Sequence, residues 1–422
     1  MSAVAAGGAI NVRMYNVGFG DAFLIKIPTS EGWRKVLFDC GSIASGTAGD
    51  GQGAASIGIR DVVASVIADV KDSDGVPRID VIVATHRHRD HVSGFADPSW
   101  KDVHVQEVWM PWTEDPRDVD ARRIRDAQSR LAVALDASLK RKLAAVPAGA
   151  PAVSELAGAA ELASNALSND QAMFTLHEGF GGRPRRRFLP EREPAPASFD
   201  TEALPGVRVH VMGPSHDQDI IRDMDPPAGR GYLRLVDAAG LQTSPEPFDD
   251  SWWVEPSQYE ASHLSLNPQD QRAMDELNAD VDPAVAVSLD KAVNGTSLMV
   301  MLQLGTTYLL WPGDAQWGTW QAALRNPQWW TLLKRTRFLK VGHHGSHNAT
   351  PREFVEETID GGFLAMASTK TVANWPNIPR GPLLDALVSH GGTIVRSDML
   401  GSAPAPFRAD PTGRFADADI PV

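Results

Sequence analysis

Apolar side chains recur along this chain at two spacings, and each spacing predicts a different kind of element. Short apolar runs at 11–16, 22–27 and 35–39, with Gly18 and Gly20 supplying a turn, predict three consecutive strands in a meander. Ile59, Val62, Val63, Val66, Ile67 and Val70 then repeat at three and four positions, the period of a helix with one apolar face. That helix feeds an apolar run at 79–84, and further strands are predicted at 103–110 and 207–212. Between them, two Ala- and Leu-rich stretches near 117–145 and 153–175 are dominated by good helix formers. No period is visible over 213–282. Beyond it, apolar runs at 309–311 and 337–341 predict strands, and Trp317, Trp320, Trp329 and Trp330 are spaced as a helical packing face. Thr350-Pro351 opens a predicted helix with a hydroxyl cap and a proline in the first turn, and the stretch GGTIVRSD from Gly391 predicts a closing strand.

Polar residues interrupt this pattern where chemistry is concentrated. Thr85-His86-Arg87-His88-Arg89-Asp90-His91 places three imidazoles and a carboxylate directly after the apolar stretch Val81-Ile82-Val83-Ala84. Imidazole nitrogen and carboxylate oxygen together suit borderline cations such as zinc, manganese or iron(II). His86 and His88, two apart, leave an extended chain on the same side, so both rings can face one cation while Asp90 and His91 serve a neighbour. A solvated polar turn is the plain alternative, and the crowding of four ligand-type side chains weighs against it. Leu309-Leu310-Trp311-Pro312-Gly313-Asp314 brings a carboxylate to a strand end, where it can bridge two cations; alone, it would be an ordinary turn. Gly342-His343-His344-Gly345-Ser346-His347 again puts imidazoles where strand gives way to loop. Together the three segments supply what a metal site built from distant stretches of chain needs.

These segments also carry a family resemblance. NVGFGDAFLIKIP from Asn16, VLFDCGS from Val36, THRHRDHVSGF from Thr85, NGTSLMVML from Asn294, YLLWPGDAQ from Tyr308 and LKVGHHGSHNAT from Leu339 follow in order. With them the chain resembles the metallo-β-lactamase superfamily of metallohydrolases. Within it, the chain is similar to the soluble C-terminal hydrolase domain of the competence protein ComEC and its stand-alone relatives. The H-x-H-x-D-H signature points to the superfamily, and the GFGDA, NGTSL and HHGS patterns to the ComEC-like branch, over about 11–110 and 283–400. The resemblance implies an α/β fold, a four-layer αββα sandwich, as one domain over 1–422. Its core would span about 11–110, 202–212 and 283–400, with a helical insertion at about 111–201 and an irregular one at about 213–282, both on the active-site rim.

Carried over residue by residue, the resemblance implies His86 and His88 on a first metal, Asp90, His91 and His344 on a second, and Asp314 between them. Asp90 and Asp314 then also serve catalysis. Asp39 becomes the carboxylate that fixes a ligating imidazole's tautomer, or else a turn cap beside Gly41. Of the pair His343-His344, the second is favoured as ligand because adjacent strand-end side chains diverge. Asn294 stands where many members of the superfamily offer the first metal a third histidine, as it does in the ComEC-like branch; a neutral amide is a poor zinc ligand, which brings manganese or a single cation into view. His216 reads as a surface polar residue or a substitute ligand, and His347 as a loop residue.

One or two divalent transition-metal ions, zinc or manganese, would lower the pKa of bound water from near 16 toward about 7 and so create a hydroxide nucleophile. Phosphodiester hydrolysis, on a nucleic acid or nucleotide, is the activity the resemblance implies. The run Gly181 to Arg187 reads as a basic loop in which Arg183, Arg185, Arg186 and Arg187 are either a solvated face or a phosphate clamp. Trp252, Trp253 and Tyr259 either stack a nucleobase or plug their loop into the core. Composition pulls the other way: 40 basic against 53 acidic side chains in 422 residues give a formal charge of -13, a field that repels polyanions. A small carbonyl ester, lactone or lactam is therefore a rival substrate. A non-catalytic regulatory module braced by metal is a second rival, although a purely structural site is normally coordinatively closed. Cys40 is the sole cysteine, which excludes a disulfide within the chain and fits a reducing compartment. No apolar run approaches the roughly 20 residues of a membrane span, and MSAVAAGGAINVR lacks a basic leader. The expectation is a cytoplasmic protein without a membrane partner.

Overall fold

Continuous apolar runs form strands covered on both faces. Ala22–Thr29 is buried throughout except at the half-buried Lys26, and the second half of Gly32–Cys40 is buried without interruption. The computed structural model describes residues 8–44, 46–48, 55–147, 152–167, 169–227, 229–232, 281–346, 348–372 and 378–422. In chain order the strands are Ala9–Tyr15 (β1), Ala22–Thr29 (β2), Gly32–Cys40 (β3), the small ribbon Gly46–Ala48 (β4) with Ala55–Ile57 (β5), Arg78–Val83 (β6), His104–Pro111 (β7), Arg185–Leu189 (β8), Ser198–Asp200 (β9) and Val207–Gly213 (β10). Met299–Leu304 (β11), Thr307–Trp311 (β12), Thr336–Lys340 (β13), Leu364–Ala367 (β14), Thr393–Arg396 (β15), Arg408–Ala409 (β16) and Phe415–Pro421 (β17) complete the set.

Apart from the ribbon, these strands make two mixed sheets, ordered β16-β17-β1-β2-β3-β6-β7-β8 and β15-β14-β13-β12-β11-β10-β9. Both follow one scheme. An antiparallel meander, β1-β2-β3 in one sheet and β10-β11-β12 in the other, is continued by parallel strands reached through crossovers. Val36, Leu37 and Phe38 of β3 lie beside Val81, Ile82 and Val83 of β6, and Leu309 and Leu310 of β12 beside Phe338 and Leu339 of β13. Because both pairs are parallel, β3 and β6 end together, and so do β12 and β13.

The inner faces meet in one core: Phe23, Ile25, Phe38 and Val83 pack against Val300, Leu309, Trp311 and Phe338. Phe38 stacks on Trp311 with ring centroids 4.5 Å apart. Strand alternation turns Leu24, Leu37 and Ile82 to the opposite face, where Val62, Val63 and Val66 of the helix Ile59–Asp69 cover them. The outer face of the second sheet is covered through Trp320, Leu333, Leu383 and Leu387 by the helices Trp317–Arg325, Pro327–Lys334 and Gly381–Ser389. The result is a four-layer αββα-type sandwich. Among the described residues no helix is long and apolar enough to cross a membrane.

A separate helical group stands beside the sandwich. Val119–Ala145, Ala152–Asn165 and Val281–Asn294 pack on one another through Leu135, Leu139, Leu156, Ala163, Leu289 and Val293. Several elements differ from the sequence reading. The second helix stops at Asn165, and the left-handed Asn169 (φ 47°) separates it from the helical stretch beginning at Asp170. The stretch after Pro351 is a wide turn, Glu353–Thr358, rather than a regular helix. Arg185, Arg186 and Arg187 are not in a loop: their main chain pairs with β7 and forms the sheet edge. The chain does not close on β15 either, since β17 pairs with β1 along its whole length. Trp252, Trp253, Tyr259 and His347 lie outside the described residues.

Candidate metal centre

The loops after β3, β6, β12 and β13 converge at one end of the sandwich, and local backbone features aim their side chains. Asp39 sits at φ 54°, a left-handed conformation that L-residues rarely adopt. Tight hydrogen bonding offsets the strain: Asp39 Oδ1 accepts from the Thr85 N–H at 2.7 Å, and Oδ2 accepts from the Thr85 hydroxyl at 2.7 Å. Gly41 has a different reason to be glycine. A Cβ there would lie 2.5 Å from the main chain of His91, with only backbone to push against. Gly41→Ala is therefore expected to displace the Asp90-His91 turn, lowering the thermal midpoint by several degrees and weakening metal uptake; an unchanged melting curve and ion content would contradict that packing.

Each histidine ring of the cluster has one nitrogen turned outward and one inward. His86 Nδ1 lies 3.2 Å from the Thr85 hydroxyl, His91 Nδ1 is 2.8 Å from Asp39 Oδ2, and His344 Nδ1 is 2.9 Å from the Ser368 carbonyl. His88 Nε2 faces Asp290 Oδ1 at 3.7 Å. The remaining nitrogens converge. His86 Nε2 is 3.1 Å from His88 Nδ1, His344 Nε2 is 3.0 Å from Asp90 Oδ2, and His91 Nε2 is 3.3 Å from Asp314 Oδ2 and 3.9 Å from Asp90 Oδ2. Atoms bound tetrahedrally to one cation at about 2.0 Å stand about 3.3 Å apart, so these spacings are those of ligands. Two groupings, His86-Asp90-His91 and His91-Asp314-His344, each bring their donor atoms within 4.8 Å of one another. All of these side chains are buried. Among the described residues Asp90 Oδ1 and Asn294 Oδ1 find no hydrogen-bond partner although buried, an arrangement that costs about 1–3 kcal/mol per group unless another partner compensates. The donor set fits a divalent cation.

A third grouping, Asp21-Asp39-His91, has the same dimensions. A cation is already there. Lys340, fully buried, makes a close ion pair with Asp21 and stands 3.5 Å from Asp314 Oδ1, and His91 Nδ1 is engaged with Asp39. The ammonium neutralises this side of the cluster, which leaves the other two groupings for metal.

Burial and charge set the protonation of the rings. Burial holds His86 well below the ordinary histidine value and brings His88 down to about 4, so both are neutral donors at pH 7. His91 behaves oppositely: burial depresses it, but Asp314, Asp90 and Asp39 together carry it well above the ordinary value. Burial likewise opposes the rise of His344, which Asp21 and Asp90 bring about. Asp290 is pushed well up by burial and then by Asp90 and Asp314. Both shifts favour a proton on His91 and on His344, and a cation bound at those rings would have to compete with it.

The six side chains read from the sequence as ligands, His86, His88, Asp90, His91, Asp314 and His344, are brought together, with Asp39, Asn294 and His343 around them. The expected divergence of His343 and His344 is not found. Both residues are left-handed (φ 47° and 53°), so both rings turn toward the cluster, His343 Nε2 lying 3.8 Å from Asp314 Oδ2. Asn294 ends the helix Val281–Asn294, and its amide donates to Asp290 at 3.0 Å. The arginines lie elsewhere. Arg187 covers the Phe199 ring and pairs with Glu191, and Arg186 and Arg187 line a surface cavity of about 340 Å³ that also holds Asp115, Asp118 and Glu191 and none of the clustered histidines. Arg183 is a left-handed residue in the turn before β8. His216 Nε2 bonds the Pro190 carbonyl and its ring packs on Trp112. Three residues escaped the sequence reading: Asp21 and Lys340, although they stand inside the quoted GFGDA and LKVGHHGS segments, and Asp290, one helical turn before Asn294.

No protein-family model matches the chain, and no curated protein matches it. What fold and site define is an α/β protein with a buried metal-coordinating centre of histidines and aspartates, of the composition that hydrolytic chemistry uses.

Proposed function

We propose that the chain is a metal-dependent hydrolase of the metallo-β-lactamase type, in its ComEC-like branch, that cleaves phosphodiesters of nucleic acid or nucleotides in the cytoplasm. The reading takes residues 1–422 as one domain with insertions at about 111–201 and 213–282. One observation carries it: the inward atoms of six side chains stand at ligand spacing while the outer nitrogen of each ring faces a partner of its own. His86 Nε2 and His88 Nδ1 would hold a first ion, Asp90, His91 Nε2 and His344 Nε2 a second, and Asp314 would lie between. When bound, such cations supply Lewis acidity toward a phosphoryl oxygen and a hydroxide nucleophile at neutral pH.

Charge supports a cation at this site. Asp21, Asp39, Asp90 and Asp314 are buried around the rings, and Lys340, paired with Asp21 and 3.5 Å from Asp314, offsets only part of their charge. Asp90 Oδ1, buried and without a hydrogen-bond partner among the described residues, is the oxygen free to accept a hydrogen bond from a water molecule and orient it. His343, whose side chain is 16 % exposed where the other four rings are shut in, is the ring a leaving group would meet first.

A small carbonyl ester, lactone or lactam is the second reading, favoured by the formal charge of -13, which works against a long polyanion. Metal analysis with a substrate panel separates the two. The expected outcome is one or two ions per chain and cleavage of bis(p-nitrophenyl) phosphate or single-stranded DNA with manganese or zinc, with His88→Ala lowering kcat/KM by about a hundredfold or more. Turnover of nitrocefin or lactones alone would favour the second reading. Ion binding without turnover of any ester would make the chain a regulatory module, and absence of ion binding would sink the metal centre.

A further inference from the structure

We infer that Asp290 is a positioning residue: it holds His88 with Nδ1 turned to the first ion, so that the helical group sets how tightly that ion is bound. The inference rests on the metal centre proposed above and extends it to a residue outside the ligand set.

An imidazole has two nitrogens, and an acceptor at one fixes the lone pair on the other. Three of the four inward rings are anchored from the sandwich itself, by Thr85, Asp39 and Ser368. His88 is the exception. Its Nδ1 faces His86, and its Nε2 faces a carboxylate on the helix Val281–Asn294, 3.7 Å from Asp290 Oδ1. That separation is about half an ångström beyond a hydrogen bond, and among the described residues His88 Nε2 makes none, so the carboxylate is the group it faces.

Asp290 is itself held in place. Its Oδ2 accepts from the Asn294 amide at 3.0 Å, and the spacing of four puts both residues on one face of the helix. A carboxylate taken out of water is costly unless it is paired, and the apolar contacts of this helix, through Leu289 and Val293, do not require one. Two further bonds tie the neighbouring helical segment to the same loop: Asn165 Oδ1 accepts from the Asp90 N–H at 3.2 Å, and the Asn169 amide donates to the Arg87 carbonyl at 2.8 Å. The stretch from Arg87 to Asp90, which carries a ligand of each ion, is thus clasped by the helical group.

The test uses the full chain as Asp290→Ala and Asp290→Asn, titrated with Mn²⁺ by calorimetry and with Co²⁺ by visible absorption. Thermal unfolding of the ion-free proteins runs in parallel, and His88→Ala identifies the first ion. Asp290→Ala is expected to weaken that ion by about 10- to 100-fold and change its cobalt spectrum, with the second ion unaffected. Asp290→Asn, whose amide oxygen still accepts from Nε2–H, is expected to recover most of the affinity. Unchanged binding of both ions in Asp290→Ala would overturn the inference, as would equal weakening of both ions in both variants together with a lower thermal midpoint, the mark of a purely structural role. A wild-type chain that binds no ion would instead refute the metal centre.

Discussion

Asp314→Ala is expected to abolish hydrolysis, by about a thousandfold or more in kcat, and to strip the protein of metal. In the proposed centre the carboxylate lies between the two ions, and it belongs to the grouping with His91 and His344. Its Oδ2 lies 3.3 Å from His91 Nε2 and 3.8 Å from His343 Nε2, while Oδ1 accepts from the His343 N–H at 3.2 Å and faces Lys340 at 3.5 Å. Alanine would leave two cations facing each other with no anion between them, and at low dielectric that repulsion is severe. The defect should exceed that of His88→Ala, since in the proposed centre His88 would serve one ion and Asp314 both. Ion content by plasma emission and kcat on a phosphodiester ester substrate check this. A variant that keeps two ions and activity within tenfold of wild type would remove Asp314 from the bridging position.

Lys340→Met should destabilise the ion-free protein by about 3–5 kcal/mol, the usual cost of removing one partner from a buried ion pair. Lys340 lies buried at the end of β13, and its ammonium faces Asp21 and Asp314 together. Burial opposes its charge, but Asp21 and Asp314 raise its pKa above the ordinary lysine value, so it remains charged throughout the working pH range. Urea unfolding measures the loss. The double variant Asp21→Asn with Lys340→Met should recover most of it, because the stranded carboxylate is removed along with its counter-ion. A single variant within 1 kcal/mol of wild type would mean that the ammonium does not hold the cluster together.

The sequence made the scaffold and the histidine cluster legible for one reason: both are written locally. Apolar runs near β2, β3 and β6 declare buried strands, and His86, His88, Asp90 and His91 are neighbours in the chain. What escaped depends on distant contacts. β17 carries a weak signal because two of its three buried positions, Ala416 and Ala418 beside Ile420, are small, while Asp417 and Asp419 look solvated until Arg13 and Arg408 pair with them across the sheet. Arg185 to Arg187 look like a charged loop until β7 supplies the main-chain partners and Phe199 the surface under Arg187. Asp290 looks like an ordinary helical acid, since only the fold sets His88 opposite it. The joint inward turn of His343 and His344 follows from two successive left-handed residues, which no side-chain pattern announces.

The convergence of strand ends from both sheets has a thermodynamic corollary. The grouping His86-Asp90-His91 comes from one half of the sandwich, whereas His91-Asp314-His344 draws Asp314 and His344 from the other and so is complete only when the halves meet. An ion seated between them would act as a rivet across the seam, and its binding energy would be counted in folding: at a free concentration a hundred times Kd, one ion adds about 2.7 kcal/mol. Cellular ion supply would then govern how long the polypeptide survives as well as whether it turns over substrate.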